Sequence, residues 1–244
     1  MRDRNILEPT FEQYKIPRNL NRYPIKVGGV EGIATNDADY VTTIWETLPN
    51  GKQKTLWRCP AYAAWLKMIE RGHSRNYKEK QPTYQNVAVC EEWCLFSNFR
   101  SWWIENNVVG WQLEKDLLVK GNLIYSPHTC AYVPNYLNSL LVDSAAIRGD
   151  YPIGVCRVNR PRPYKSMCRV GGKLKYLGLF PTPQEAHRAW QVFKIKVIKD
   201  SITRYTEDAN NLRVFDSRIV TALEDRIIIL QDDINHNQET LALH

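Results

Sequence analysis

Apolar and polar positions change period several times along the chain. Residues 23–60, YPIKVGGVEGIATNDADYVTTIWETLPNGKQKTLWRCP, alternate in places, as half-buried strands do, and Asn50–Gly51 marks a hairpin turn. Pro60 then opens PAYAAWLKMIERG, where Tyr62, Trp65, Met68 and Ile69 recur at helical spacing and Gly72 is a fitting stop. HSRNYKEKQPTYQN reads as a basic loop and VAVCEEW as the start of a strand. CLFSNFRSWWIENN predicts a second helix, with Phe96, Phe99 and Trp103 on one core-facing stripe. IGVCRV, YKSMCRV and KLKYLGLF read as three short strands, the last two joined by the Gly171–Gly172 turn. TPQEAHRAWQVFKIKVIKDSI follows as a helix. Thr182 is its N-cap, Pro183 its first residue and Glu185 completes a capping box; Ala186, Ala189, Trp190, Phe193 and Val197 form its apolar stripe. RIVTALEDRIIILQDDI is a further helical pattern. Residues 1–24 read as a polar arm and 142–150 as a linker.

These patterns predict an α+β chain in four parts. They are an arm with short strands (1–56), a mixed domain (57–142), a three-stranded antiparallel sheet with one packed helix (151–200), and a helical tail (201–244). The tail is expected to cap the sheet domain or to mediate self-association as a homodimer. No apolar run is long enough to span a bilayer, and the first residues lack the apolar centre of a signal peptide. The expected location is the cytoplasm, where Cys59, Cys90, Cys94, Cys130, Cys156 and Cys168 stay reduced, as small buried hydrophobes or, for the first four, as a zinc site.

Charge sharpens the picture. The net charge of +7 is concentrated in residues 151–200, which hold eleven Lys/Arg against two acids, whereas 201–244 hold four against eight. A dense local excess of this kind is the footprint of a nucleic-acid surface, although a solvated basic face gives the same count. Arg157, Arg160, Arg162, Lys165, Arg169, Lys173 and Lys175 fall on the predicted strands and turns, and guanidinium groups suit bidentate contacts to phosphate or guanine.

GV…YKSMCRVGGKLKYLGLFPTPQEAHRAW resembles the plant ethylene-response-factor (APETALA-type) DNA-binding domain, which also occurs in phage and homing-nuclease proteins. The resemblance covers about fifty residues and implies that the exposed face of the sheet, rather than the helix, lies on double-stranded DNA. It aligns Arg169 and Tyr176 with contact positions, whereas Cys156, Met167 and Leu174 depart from the polar residues found there.

Upstream, RCPAYAAWLKMIERGHS, PTYQNVAVCEEWCLFSNFRSWW and LEKDLLVKGNLIYSPHTCAYVPNYLN occur in order, and together resemble a phage branch of the HNH (His-Me finger) endonucleases. That resemblance implies a ββα-metal nuclease fold that hydrolyses phosphodiester bonds with Mg²⁺ or Mn²⁺. Glu114 takes the position of the metal-binding carboxylate, Lys115 that of the general-base histidine, Asp116 follows, Thr129 stands for the residue that orients the base, and Asn138 is the ligand on the short helix. Glu114, Asp116 and Asn138 are thereby the expected metal ligands. A lysine is protonated near neutral pH, so three readings stay open. Asp116 or a metal-bound hydroxide is the base; His128 substitutes; or the scaffold binds DNA without cutting it. On the residues alone, the acidic cluster also fits a solvated strand end and Asn138 a helix-end residue.

Overall fold

A computed structural model describes residues 23–27, 30–142 and 150–243. The expected arm lies outside the described residues up to position 22, and the expected linker does so over 143–149. The chain is α+β and divides into two compact units. The first holds residues up to Asn107 together with Asn122–Cys130; the second holds Val108–Gly121 and everything from Ala131 onward. Residues 57–142, read above as one domain, are therefore shared between the units. Among the described residues no helix is long and apolar enough to cross a membrane.

In the first unit, β1 (Tyr23–Val27) pairs antiparallel with β2 (Val30–Asn36), and β3 (Thr43–Thr47) with β4 (Gln53–Arg58). The second hairpin turns at Gly51, whose φ of +76° is open to glycine at no cost. Helix α1 (Pro60–His73) buries Tyr62, Trp65, Met68 and Ile69 as its spacing requires. Gly72 does not stop it. The glycine is buried where an added Cβ would lie 2.6 Å from a Val89 methyl, so the position serves close packing. The segment expected to be a basic loop instead holds α2 (Arg75–Lys80), because the Ser74 hydroxyl accepts the Tyr77 amide hydrogen and caps a short helix. After β5 (Ala88–Val89) comes α3 (Phe96–Asn106), with Phe96, Phe99 and Trp103 buried as read from the sequence. The chain then leaves to form β6 (Gln112–Glu114) in the second unit, and returns to lay β7 (Ile124–Tyr125) parallel to β5.

In the second unit, β6 pairs antiparallel with β8 (Ala131–Val133), with Gln112 opposite Val133 and Glu114 opposite Ala131. Pro134 leads into the short helix α4 (Asn135–Asn138). Strands β9 (Val155–Arg157), β10 (Tyr164–Val170) and β11 (Lys173–Phe180) form an antiparallel sheet in the order β11-β10-β9. Gly171 and Gly172, both at positive φ, make the tight turn between β10 and β11. Helix α5 (Pro183–Leu212) starts at the expected cap, Thr182 Oγ1 accepting from the Glu185 amide at 3.2 Å. It runs ten residues past the expected end, to Arg213 at φ 57°. The boundary expected at residue 200 thus falls inside a helix. Helix α6 (Ser217–Asn235) packs back along α5, burying Ile219, Leu223 and Leu230 in the same core as Trp190, Ile198 and Tyr205. The tail is a structural part of the sheet unit.

Trp190 is the wedge between helix and sheet. Gly154, at φ +81°, stands where an added Cβ would come within 2.2 Å of the indole. His187 stacks on the same ring at 5.4 Å between centroids.

Candidate functional site

Side chains alternate across a strand, so register decides which cations share a face. On β10, Ser166 and Cys168 are buried toward α5, which turns Lys165, Met167 and Arg169 to the opposite face. Their cross-strand partners follow. Lys165 pairs with Cys156 and Leu179, Met167 with Tyr176, and Arg169 with Leu174. The five positions aligned above with DNA contacts, 156, 167, 169, 174 and 176, therefore fall together on the face away from the helix. Leu174 and Tyr176 are each 57% exposed there.

The same register removes others from that face. Lys175 pairs with buried Cys168, and its ammonium lies 4.9 Å from the centre of the Phe193 ring of α5, on the helix side. Lys173 and Arg157 share that parity, although both are exposed near strand ends. Arg160 and Arg162 are exposed in the connection from β9 to β10, which the Val158 amide closes on the Pro163 carbonyl at 2.8 Å. The seven cations read from the sequence thus separate by position. Lys165 and Arg169 sit on the outer face, Arg160 and Arg162 in the adjoining loop, and Arg157, Lys173 and Lys175 on the helix-side register. An extra residue in β11, Leu177, shifts the pairing between Ser166 and Met167 and sets this division.

The second candidate group lies at the end of β6. Glu114 is half-buried and its Oε1 accepts the Asp116 amide hydrogen at 2.7 Å. Burial pushes its carboxyl above the usual range, opposed by that hydrogen bond. Lys115 is only 6% exposed, which rules out a solvated strand end, and its ammonium donates to the Asp116 carboxylate. Asn138 donates through Nδ2 to Gln112 Oε1 at 2.5 Å. Gln112 and Glu114 are two residues apart on one strand, hence on one face and roughly 7 Å apart along it. The structure therefore joins Glu114, Lys115 and Asp116 at the end of β6, while Asn138 is bonded to Gln112, two residues earlier on the same strand. Gln112, which anchors Asn138, was missed by the sequence reading; its period-two relation to Glu114 was the available signal.

Thr129 belongs to the other unit. Its hydroxyl donates to the Ile124 carbonyl at 2.7 Å and bonds the Ser126 hydroxyl at 2.8 Å, closing a turn that also contains His128.

The donor types at the strand end suit a hard divalent cation: carboxylates on Glu114 and Asp116 and the side-chain oxygen of Asn138. The Asn138–Gln112 bond uses the amide nitrogen and spares that oxygen, while Asp116 already carries the Lys115 ammonium. Among the described residues no three of His, Cys, Asp and Glu come together as a metal-binding group. Comparison with family models, with curated proteins and with solved structures finds no match for this chain.

Proposed function

We propose that the chain binds double-stranded DNA through the outer face of the β9–β11 sheet. One observation carries this reading. Helix α5 covers one face of the sheet, while the other gathers Lys165, Arg169 and an exposed Tyr176, with Arg160 and Arg162 in the loop at its end. The cations supply phosphate contacts and release counterions. Cys156, Met167 and Leu174, which lie among them, offer little hydrogen-bonding chemistry for base edges, so the contacts position the protein more than they select sequence.

The test is the salt dependence of duplex binding, followed by fluorescence anisotropy. Each lost phosphate contact lowers the slope of log K against log salt by about 0.9, so the Lys165→Ala/Arg169→Ala pair is expected to remove about 1.8 and to weaken binding. Lys175→Ala, on the helix side, is expected to leave the slope unchanged. Equal effects from Lys175 and Arg169 would defeat the assignment to this face.

A second reading, metal-dependent hydrolysis of the bound duplex, draws on Glu114 at the end of an antiparallel pair and on Asn138, on the short helix that follows it, bonded to Gln112 two residues before Glu114. Mg²⁺ or Mn²⁺ held by Glu114 and Asn138 would supply Lewis-acid stabilisation at a scissile phosphate. The Lys115 ammonium, held by Asp116, is suited to stabilising negative charge rather than to accepting a proton. Glu114→Gln separates function from stability. It keeps the acceptor for the Asp116 amide but removes a carboxylate that burial disfavours in its ionised form.

A carboxyl raised in the folded state stabilises the protein below its unfolded value of about 4.3, and that contribution is lost as pH rises through the folded value. Glu114→Gln is therefore expected to gain stability over wild type at pH 7 and not at pH 4, measured by urea unfolding at both. It is also expected to abolish plasmid nicking with Mg²⁺ or Mn²⁺, as is Asn138→Ala, with duplex binding retained. Nicking that survives both substitutions would exclude this site.

A further inference from the structure

We propose that two copies of the chain associate by each seating the outer face of its α6 in a groove between β11 and α5 of the other. The groove, about 610 Å³, lies on the helix side of the sheet and is floored by Leu177, Phe180, Val192 and Phe193. Val192, in the middle of α5, is 56% exposed, whereas Trp190, Val197 and Ile198 on the same helix are buried. Cations border the floor. Lys196 and Arg188 line it, and Lys175 lies over Phe193. Glu185 is the one acid on its lining.

The matching surface is on α6. Ile228 is 64% exposed, and the exposed residues one helical turn away on the same face are Glu224, Asp225, Gln231 and Asp232, three of the four acidic. An exposed isoleucine flanked by carboxylates is the complement of an apolar groove bordered by Lys175, Arg188 and Lys196. Asp232 is also held by His236 at 3.2 Å, and Arg188 donates to the Ile234 carbonyl and Asn237, so Lys196 with Glu224 and Asp225 carries most of the pairing.

Groove and knob occur once per copy, and a twofold pair buries both of each, closing the assembly at two. The contact leaves the outer sheet face, with Lys165 and Arg169, uncovered, so a dimer presents two such faces. Self-association is thereby separate from DNA binding and is measured without DNA.

Sedimentation equilibrium of the full chain is expected to show a concentration-dependent dimer. Ile228→Lys and Lys196→Glu are each expected to raise its dissociation constant at least about tenfold, since each sets like charges together or puts a charge in the apolar seat. Lys196→Glu combined with Asp225→Lys is expected to recover dimer by exchanging the signs. These side chains are exposed, and an unchanged thermal midpoint checks that each variant folds. A wild-type monomer at every concentration overturns the proposal, including the case where Val192 is found shielded from labelling and so covered by the chain itself or by another molecule. A dimer indifferent to both single substitutions overturns it equally.

Discussion

Replacing Trp190 by alanine is expected to lower stability by about 3–5 kcal/mol, the range for removing a large buried aromatic side chain. Trp190 is the joint through which α5 holds the sheet. Gly154 at the start of the first sheet strand fits against its indole, His187 stacks on it, and the Lys194 ammonium lies 5.9 Å from its centre. Collapse into the vacated space is resisted by the positive φ of Gly154 and by the His187 ring, which the Ile153 carbonyl and the Thr240 amide hold at its two nitrogens. Small domains have only about 5–15 kcal/mol in total, so much of this unit's stability goes with one side chain. Urea unfolding measures the loss, and duplex affinity should fall only as far as the folded fraction falls. A loss under about 1 kcal/mol would mean that the sheet is held to the helix elsewhere.

The sheet-and-helix pattern was legible because its signals are local. The cap at Thr182, the glycine turn at 171–172 and the stripe through Ala186, Trp190 and Val197 each depend on near neighbours, and each appears as read. The facing of the cations was not legible. It depends on one extra residue, Leu177, in β11 and on Phe193, eighteen residues beyond Lys175 in the chain. Helix α2 was hidden by a charged composition that its Ser74 cap overrides. At the strand end, the sequence brought out Glu114 and Asn138 but not the burial of Lys115. That burial depends on tertiary packing, and a lysine between two acids reads locally as solvated. The division of residues 57–142 between two units was invisible for the same reason. It arises where β7 joins β5 while the flanking β6 and β8 pair with each other.

Arg226→Leu is expected to lower stability by about 2–4 kcal/mol through backbone groups rather than through charge pairing. The Arg226 guanidinium is buried on α6. Its Nε donates to the Leu243 carbonyl at 3.0 Å, and one terminal nitrogen donates to the Leu117 carbonyl at 3.1 Å. The other terminal nitrogen reaches the Ala222 carbonyl one turn back. Burial lowers its pKa, partly offset by Asp225, yet a guanidinium stays charged in any case. Leucine recovers the desolvation cost of that charge but leaves the carbonyls of Leu117 and Leu243 without a donor in buried surroundings, at about 1–3 kcal/mol each. The larger cost wins. Arg226→Lys, with a single ammonium on a shorter reach, should fall between the two. Leu117 directly follows Asp116, so the arginine ties the strand end bearing Glu114, Lys115 and Asp116 to the C-terminal residues. Amide exchange at residues 115–118 should accelerate in Arg226→Leu along with cleavage near Leu243 by carboxypeptidase. An unfolding midpoint equal to wild type, with both segments still protected, would show that the two carbonyls find other donors and that this tie is dispensable.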